Sequence, residues 1–229
     1  LLHGQVTNDV QKLVKGQGCY AALVTAKGRV ECDLNIYALA DELLLDFEPG
    51  LTPKLSARFD HYIVADDVQV VDVAPYYGLF SVQGPRAAEV IQALGVFPAV
   101  PDRPFGLVHV SEPALGELYL CRRPRCSWPA APGAIPGFDL FVPTDALGMV
   151  FDKVVAAARQ AGGRAVGWSA LEARRIEGGV PRFGADIDET NLAPEAGDAF
   201  VAHAINYAKG CYIGQEVIAR IRTYGQVTR

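Results

Sequence analysis

Between Lys209 and Glu216 the chain reads Lys-Gly-Cys-Tyr-Ile-Gly-Gln-Glu, with Cys211 at its centre. Gly210 and Gly214 flank that thiol in a tight loop, and Gln215-to-Arg222 reads as an amphipathic helix directly after it. A thiol just ahead of a helix N-terminus, two residues from a lysine, sits in a field that favours thiolate. Such a cysteine can serve as nucleophile, redox group or soft-metal ligand. The same residue types also suit a small buried side chain packing a turn, and the loop by itself leaves both readings open.

The other chemistry-bearing residues are less concentrated. The remaining cysteines are Cys19, Cys32, Cys121 and Cys126, with no C-x-x-C pair, and the chain has only four histidines. That composition predicts ordinary thiols and no dedicated metal site. An odd count of five cysteines in 229 residues is a poor disulfide framework and points to a reducing compartment. Arg122, Arg123 and Arg125 cluster in a proline-rich stretch and read as a solvated basic turn. A net charge of −5 excludes a general nucleic-acid binder, which needs a basic footprint. The apolar runs, such as 41–47 and 154–158, are far too short to span a bilayer, and no signal segment opens the chain.

The elements that must position these residues follow from periodicity and turn chemistry. Tyr20-to-Thr25, Arg29-to-Leu39 and Leu43-to-Phe47 read as a meander of strands broken at Ala26-Lys27-Gly28 and Ala40-Asp41-Glu42. Thr52 with Pro53 predicts a capped helix to about His61. Val68-to-Val73 and Leu79-to-Val82 follow as strands, and Gly84-Pro85 launches a helix over Arg86-to-Leu94. The stretch Val96-to-Pro136 reads as loop with one strand, Glu117-to-Cys121, inside it; Gly137-to-Val142 is another strand. Thr144 caps a predicted helix Asp145-to-Ala161, and Ser169 with Glu172 has capping-box spacing ahead of Ala170-to-Glu177. Strands and helices in irregular order, without a fixed-period repeat, predict an α+β fold rather than a regular parallel α/β one.

The motif K-G-C-Y-x-G-Q-E, matched here at every fixed position, resembles the YgfZ/Iba57 (CAF17-like) family. These are folate-binding iron–sulfur cluster assembly factors related to the glycine-cleavage T-protein. Val217-Ile218-Ala219-Arg220 through Tyr224-Gly225-Gln226-Val227 continues the likeness. Leu2-to-Val10 (LHGQVTNDV) is similar to the opening of the folate-binding domain, and Gly28-to-Leu34 (GRVECDL) resembles the T-protein segment G-G-x-x-D-D-L. Arg175-to-Gly184 (RIEGGVPRFG) resembles R-L-E-A-G-x-P-x-x-G, with Asn191-to-Ala196 continuing it.

The resemblance implies a T-protein-like fold of interlocked mixed lobes around a central cavity. Residues 1–205 would form the folate-binding region, and 206–229 the signature loop and helix leading to a C-terminal β-barrel lobe that this chain lacks. Sequence ahead of Leu1 would be missing as well. It implies Cys211, Lys209 and Asp33 as catalytic residues, Cys211 being the functional cysteine that Lys209 supports, and Tyr212, which shapes the loop with the two glycines, as folate-binding. Asp33 would lie beside the one-carbon position of tetrahydrofolate or a one-carbon derivative. Asp139 would meet the pteridine edge and Arg175 the anionic tail. Two departures stand out: the aspartate pair has become Cys32-Asp33, and G-E-x-G-F-E has become Ala134-Ile135-Pro136-Gly137-Phe138-Asp139, without its first acid and with a shorter aspartate for its second.

The function implied is assistance in assembling or repairing [4Fe–4S] proteins, including radical-SAM tRNA-modifying enzymes. A transient cluster would be handled, and client or carrier proteins would be the partners. The protein would be a monomer with no direct nucleic-acid or membrane contact, in the bacterial cytoplasm or, in a eukaryote, the mitochondrial matrix. An aminomethyltransferase of the glycine-cleavage system is the alternative. A domain like those fused to sarcosine-type oxidases ranks last, because no G-x-G-x-x-G follows a strand.

Overall fold

The strand-like run that begins at Tyr20 and the alternating run after Arg29 close into an antiparallel sheet. A computed structural model describes residues 1–65, 67–129 and 131–225. Its elements in order are β1 (Gly18–Val24), β2 (Val30–Ala38), β3 (Leu43–Phe47), α1 (Thr52–Tyr62), β4 (Tyr77–Gln83), α2 (Ala87–Ala93), β5 (Leu107–Glu112), β6 (Gly116–Cys121), β7 (Gly137–Pro143), α3 (Leu147–Gln160), α4 (Trp168–Glu177), α5 (Asp198–Ala204) and α6 (Gln215–Tyr224). They divide into two compact units, one from Leu1–Asp72 with Pro181–Arg229 and one from Val73–Val180. The fold is α+β, and every ladder between these strands is antiparallel.

In the first unit β1, β2 and β3 lie side by side, with Tyr20 opposite Asn35 and Asn35 opposite Asp46. Because side chains alternate across a strand, one face carries Ala21, Leu23, Cys32, Leu34 and Ile36, which pack on Leu55 and Phe59 of α1. The other face carries Tyr20, Asp33, Asn35, Tyr37 and Asp46. Phe200 of α5 meets the Tyr20 ring edge-on, centroids 5.6 Å apart.

The second unit is a four-stranded sheet ordered β4-β7-β6-β5. Its apolar face buries Val82, Leu120 and Phe138 against α2 and α3, and Leu118, Leu140 and Val142 against Val150.

Several local expectations change. Val68-to-Val73 forms no strand, and Val68, Val70, Val71 and Val73 are exposed. High β-propensity needs a partner edge to pair with, and none is offered there. The stretch read as loop holds β5, which pairs with β6 across a turn where Gly116 takes φ +78°. Thr52, Thr144 and Ser169 do not cap: α1 starts at Thr52 behind Leu51, α3 starts at Leu147 after a 3-10 turn, and α4 starts at Trp168 behind Gly167. α5 had no expectation ahead of it. Gln226 and Val227, the end of the family-like tail, lie outside the described residues.

The C-terminal end of α4 is the tightest backbone packing in the second unit. A Cβ on Gly178 would overlap the Cys126 carbonyl oxygen, while Trp128 Nε1 donates to Gly179 O at 2.8 Å. Backbone cannot yield as a flexible side chain can. Gly178→Ala is therefore expected to lower stability by about 1–3 kcal/mol, read as a reduced denaturant midpoint; an unchanged midpoint would refute that packing.

Candidate functional site

The loop that presents Cys211 is held from below. Gly214, the residue before α6, is left-handed at φ 84°, and a Cβ there would overlap the Thr25 carbonyl oxygen. Only glycine meets both demands. At the β1–β2 turn, Gly28 takes φ +76°, and a Cβ on it would stand 3.1 Å from Val217 Cγ1 of α6. The signature loop and the Gly28 turn therefore fit into each other. Ile213 N donates to Gly4 O at 3.1 Å, which ties the loop to the Leu2-to-Val10 segment as well.

Lys209 makes the strongest of these ties. Its side chain is buried, and Nζ donates to Val6 O at 2.6 Å and to His3 O at 2.5 Å. The Tyr212 ring lies beneath, its centroid 4.9 Å from Nζ. Burial pushes the ammonium down to about 8, with Asp9 and Cys19 acting in the opposite direction. Burial likewise pushes the Tyr212 hydroxyl up to about 12. Lys209 and Tyr212 are thus consumed in shaping the loop. Thr7 completes the tie: its hydroxyl donates to Ala204 O at 2.6 Å and accepts from Ala22 N at 2.9 Å.

On this frame Cys211 is exposed, whereas Cys32, Cys121 and Cys126 are buried and Cys19 is half-buried; all five lie among the described residues. Burial pushes the Cys19 thiol up to about 12 and raises those of Cys32 and Cys126. Among the described residues, the cysteine that is exposed to a partner is Cys211. His3 lies close by, its Nε2 3.6 Å from where a Cβ on Gly210 would sit. No group of three or more His, Cys, Asp or Glu side chains is arranged to hold a metal ion among the described residues.

Asp33 stands on the polar face of the first sheet, half-buried, and accepts from the Tyr20 hydroxyl at 2.5 Å. Two residues along β2, Asn35 is buried; its amide donates to Asp46 Oδ2 at 3.0 Å, and its Oδ1 finds no donor among the described residues. Sequence reasoning missed Tyr20 and Asn35, although period-2 alternation from Asp33 would have found Asn35. Cys32 points the other way, into the apolar cluster. A carboxylate at that position would be buried in the core.

In the second unit the two remaining candidates are engaged. Asp139 is fully buried; Arg125 Nε lies 3.0 and 2.9 Å from its two oxygens, and Ser81 Oγ donates to Oδ1 at 2.7 Å. Gln83 donates to Ser81 Oγ and to Arg123 O, and accepts from Arg125 N. The basic turn is accordingly not solvated. Arg123 is buried, and Arg122 donates to Asp102 O at 2.6 Å. Arg175 is also buried, forked onto both Glu172 oxygens at 2.8 and 2.7 Å and donating to Val180 O at 3.1 Å. Its guanidinium closes the end of α4. The structure thus brings Asp33, Lys209, Cys211 and Tyr212 into one unit and leaves Asp139 and Arg175 in the other.

Residues 1–204 match the family model of the GCVT N-terminal domain. The chain belongs to that family. An aminomethyltransferase of Cupriavidus necator is 28% identical over 87% of this chain and 54% of its own length. Another, from Rubrobacter xylanophilus, is 26% identical over 96% of this chain and 55% of its own. The crystal structure of glycine cleavage system aminomethyltransferase T from Bartonella henselae superposes with a TM-score of 0.77 at 19% identity, over 96% of this chain and 57% of that one. At that identity the likeness establishes the GCVT-type fold alone. The chain spans about half the length of the curated relatives it matches.

The Lys209 clamp of this GCVT-type unit is testable by removing its charge. Lys209→Met strips the donor from two carbonyls and is expected to cost about 2–4 kcal/mol. Between about 8 and the ordinary 10.5 the unfolded chain holds the extra lysine proton, so the Lys209 contribution to stability rises with pH across that window. Denaturant midpoints from pH 7.5 to about 10 should show a steeper rise for wild type than for Lys209→Met. Parallel curves would place Lys209 outside the core.

Proposed function

We propose that this chain binds tetrahydrofolate, or a one-carbon derivative of it, and presents Cys211 as the working thiol of a factor that helps [4Fe–4S] proteins mature or recover. The observation that carries the reading is the signature loop. Lys209 and Tyr212 are buried, Gly214 is locked against Thr25, and Cys211 is left exposed. A cysteine that only filled a turn would be buried, as Cys32 is. An exposed sulfur suits a soft metal or an electrophilic partner. The K-G-C-Y-x-G-Q-E match to YgfZ/Iba57-type sequence supports iron–sulfur client or carrier proteins as the partners, radical-SAM tRNA-modifying enzymes among them. The cluster on this reading is cargo, held in passing.

Folate is supported by membership of the GCVT family, whose relatives are named aminomethyltransferases. The polar face of the first sheet fits its donor-rich pteridine edge. Asp33 offers a half-buried carboxylate oriented by Tyr20, and Asn35 Oδ1 is a buried acceptor awaiting a donor. Supplying that donor offsets about 1–3 kcal/mol of desolvation. Tetrahydrofolate supplies the nitrogen that carries a one-carbon unit; Asp33, Asn35 and Tyr20 bind and orient it. Asp139 and Arg175 fit less well, because their polar atoms are committed inside the second unit. No helix among the described residues is long and apolar enough to cross a membrane. The protein would act as a monomer, and the odd count of five cysteines agrees with a reducing compartment such as the bacterial cytoplasm or the mitochondrial matrix.

Aminomethyl transfer is the second reading, and one observation favours it. The residue lost from the aspartate pair is the one turned into the core, while Asp33 keeps its place on the polar face. Formation of methylene-tetrahydrofolate from an aminomethylated lipoyl carrier would establish it.

The thiol is tested in bacteria lacking their own YgfZ-like protein, reading the activity of a cluster-dependent tRNA-modifying enzyme. The complete gene should restore activity and its Cys211→Ser form should not; full rescue by the serine form would remove the thiol from the mechanism. The folate face is tested by calorimetry with tetrahydrofolate. Asp33→Asn should weaken binding about tenfold or more, Tyr20→Phe by less. Equal affinities would put folate elsewhere.

A further inference from the structure

A depression of about 440 Å³ opens in the first unit, lined by Asn8, Ile205, Asn206, Tyr207 and Arg222 among others. Arg222 is exposed, and its guanidinium lies over the Tyr207 ring, Cζ 4.1 Å from the centroid. Stacking fixes the plane of the guanidinium without using its N–H groups. Other arginines of this chain spend theirs on acids: Arg220 on Glu216, Arg182 on Glu48, Arg58 on Glu31. Arg222 has no carboxylate partner among the described residues, and no acid lines the depression. The Asn206 side chain accepts from Ala208 N at 2.9 Å through Oδ1. Its amide N–H groups have no partner among the described residues. Asn8 is fixed as wall by donating to Tyr20 O and His203 O, and Ile205 is apolar and buried.

A planar fork of donors, an amide donor, an apolar wall and no competing acid together define an anion site. We propose that this depression binds the terminal carboxylate or phosphate of a small organic anion, held by the Arg222 fork with the Asn206 amide. The site uses neither Cys211 nor Asp33, so it stands or falls apart from the function proposed above.

The test is calorimetric titration of the full chain at constant ionic strength with glutarate, glycerol phosphate and inorganic phosphate, with sodium chloride as control. Saturable binding of at least one of the three, absent with chloride, is expected; the one that binds tells carboxylate from phosphate. Arg222→Gln should weaken that binding about tenfold or more and Arg222→Lys by less, because lysine keeps the charge and loses the fork. Tyr207→Leu should weaken it, and Tyr207→Phe, which keeps the ring, should not. Unfolding midpoints without anion should match wild type, since Arg222 is exposed. Absence of saturable binding by all three anions, an equal response to chloride, or undiminished binding by Arg222→Gln would each overturn the proposal.

Discussion

A buried ammonium survives only where its donors are met, and Lys209 meets them with backbone carbonyls. The two acceptors, on His3 and Val6, lie some two hundred residues away in sequence. Burial pushes the ammonium down to about 8, so its charge costs stability, while the two hydrogen bonds still join the first residues of the unit to its last loop. Thr7, whose backbone and hydroxyl join β1 to Ala204 and Asn206, adds neutral bonds to the same seam. The Cys211 loop, the Gly28 turn and the polar face of β2 all take their places from it. The loop under Cys211 is pinned at Lys209, Ile213 and Gly214, and Cys211 itself is exposed.

The second unit is organised by the same rule, with buried charges of both signs. Asp139 is a carboxylate without water, and it is stable because Arg125 and Ser81 occupy both of its oxygens. Arg175 is a guanidinium without water, satisfied by Glu172 and the Val180 carbonyl. Breaking one partner of such a buried pair is costly, since it leaves the other charge uncompensated. That commitment is why these residues, chosen for ligand contact from their motifs, are architecture in this structure. Asp33 differs because it is only half-buried, at the polar face of β2, where it accepts from the Tyr20 hydroxyl.

Much of the fold was legible. β1, β2, β3 and β7 are legible nearly residue for residue, as short apolar runs bounded by turn residues and, in β2, through alternation. Glycine placement was legible too: Gly214 and Gly28 are demanded by positive φ and close approach, both local properties. Where sequence reasoning failed, the deciding contact was remote. Val68-to-Val73 has the composition of a strand and no edge to pair with. β5 sits among prolines and arginines, and it is a strand because β6 is beside it. Arg123 and Arg125 look like a basic turn until Asp139 and Phe105 are brought to them.

The amino-acid sequence by itself determined membership of the GCVT family, the α+β class, and the loop in which Cys211 stands between two glycines. Those are properties of residue order, carried by short spacings and by motifs that persist whatever surrounds them. Only the tertiary structure decided which polar groups remain available. It buried Lys209, Asp139 and Arg175 among partners far away in the chain, turned Cys32 into the core and Asp33 away from it, and left Cys211 and Arg222 facing solvent. Availability depends on what fills the space around a side chain, and that is settled by contacts between distant segments, which no local spacing encodes.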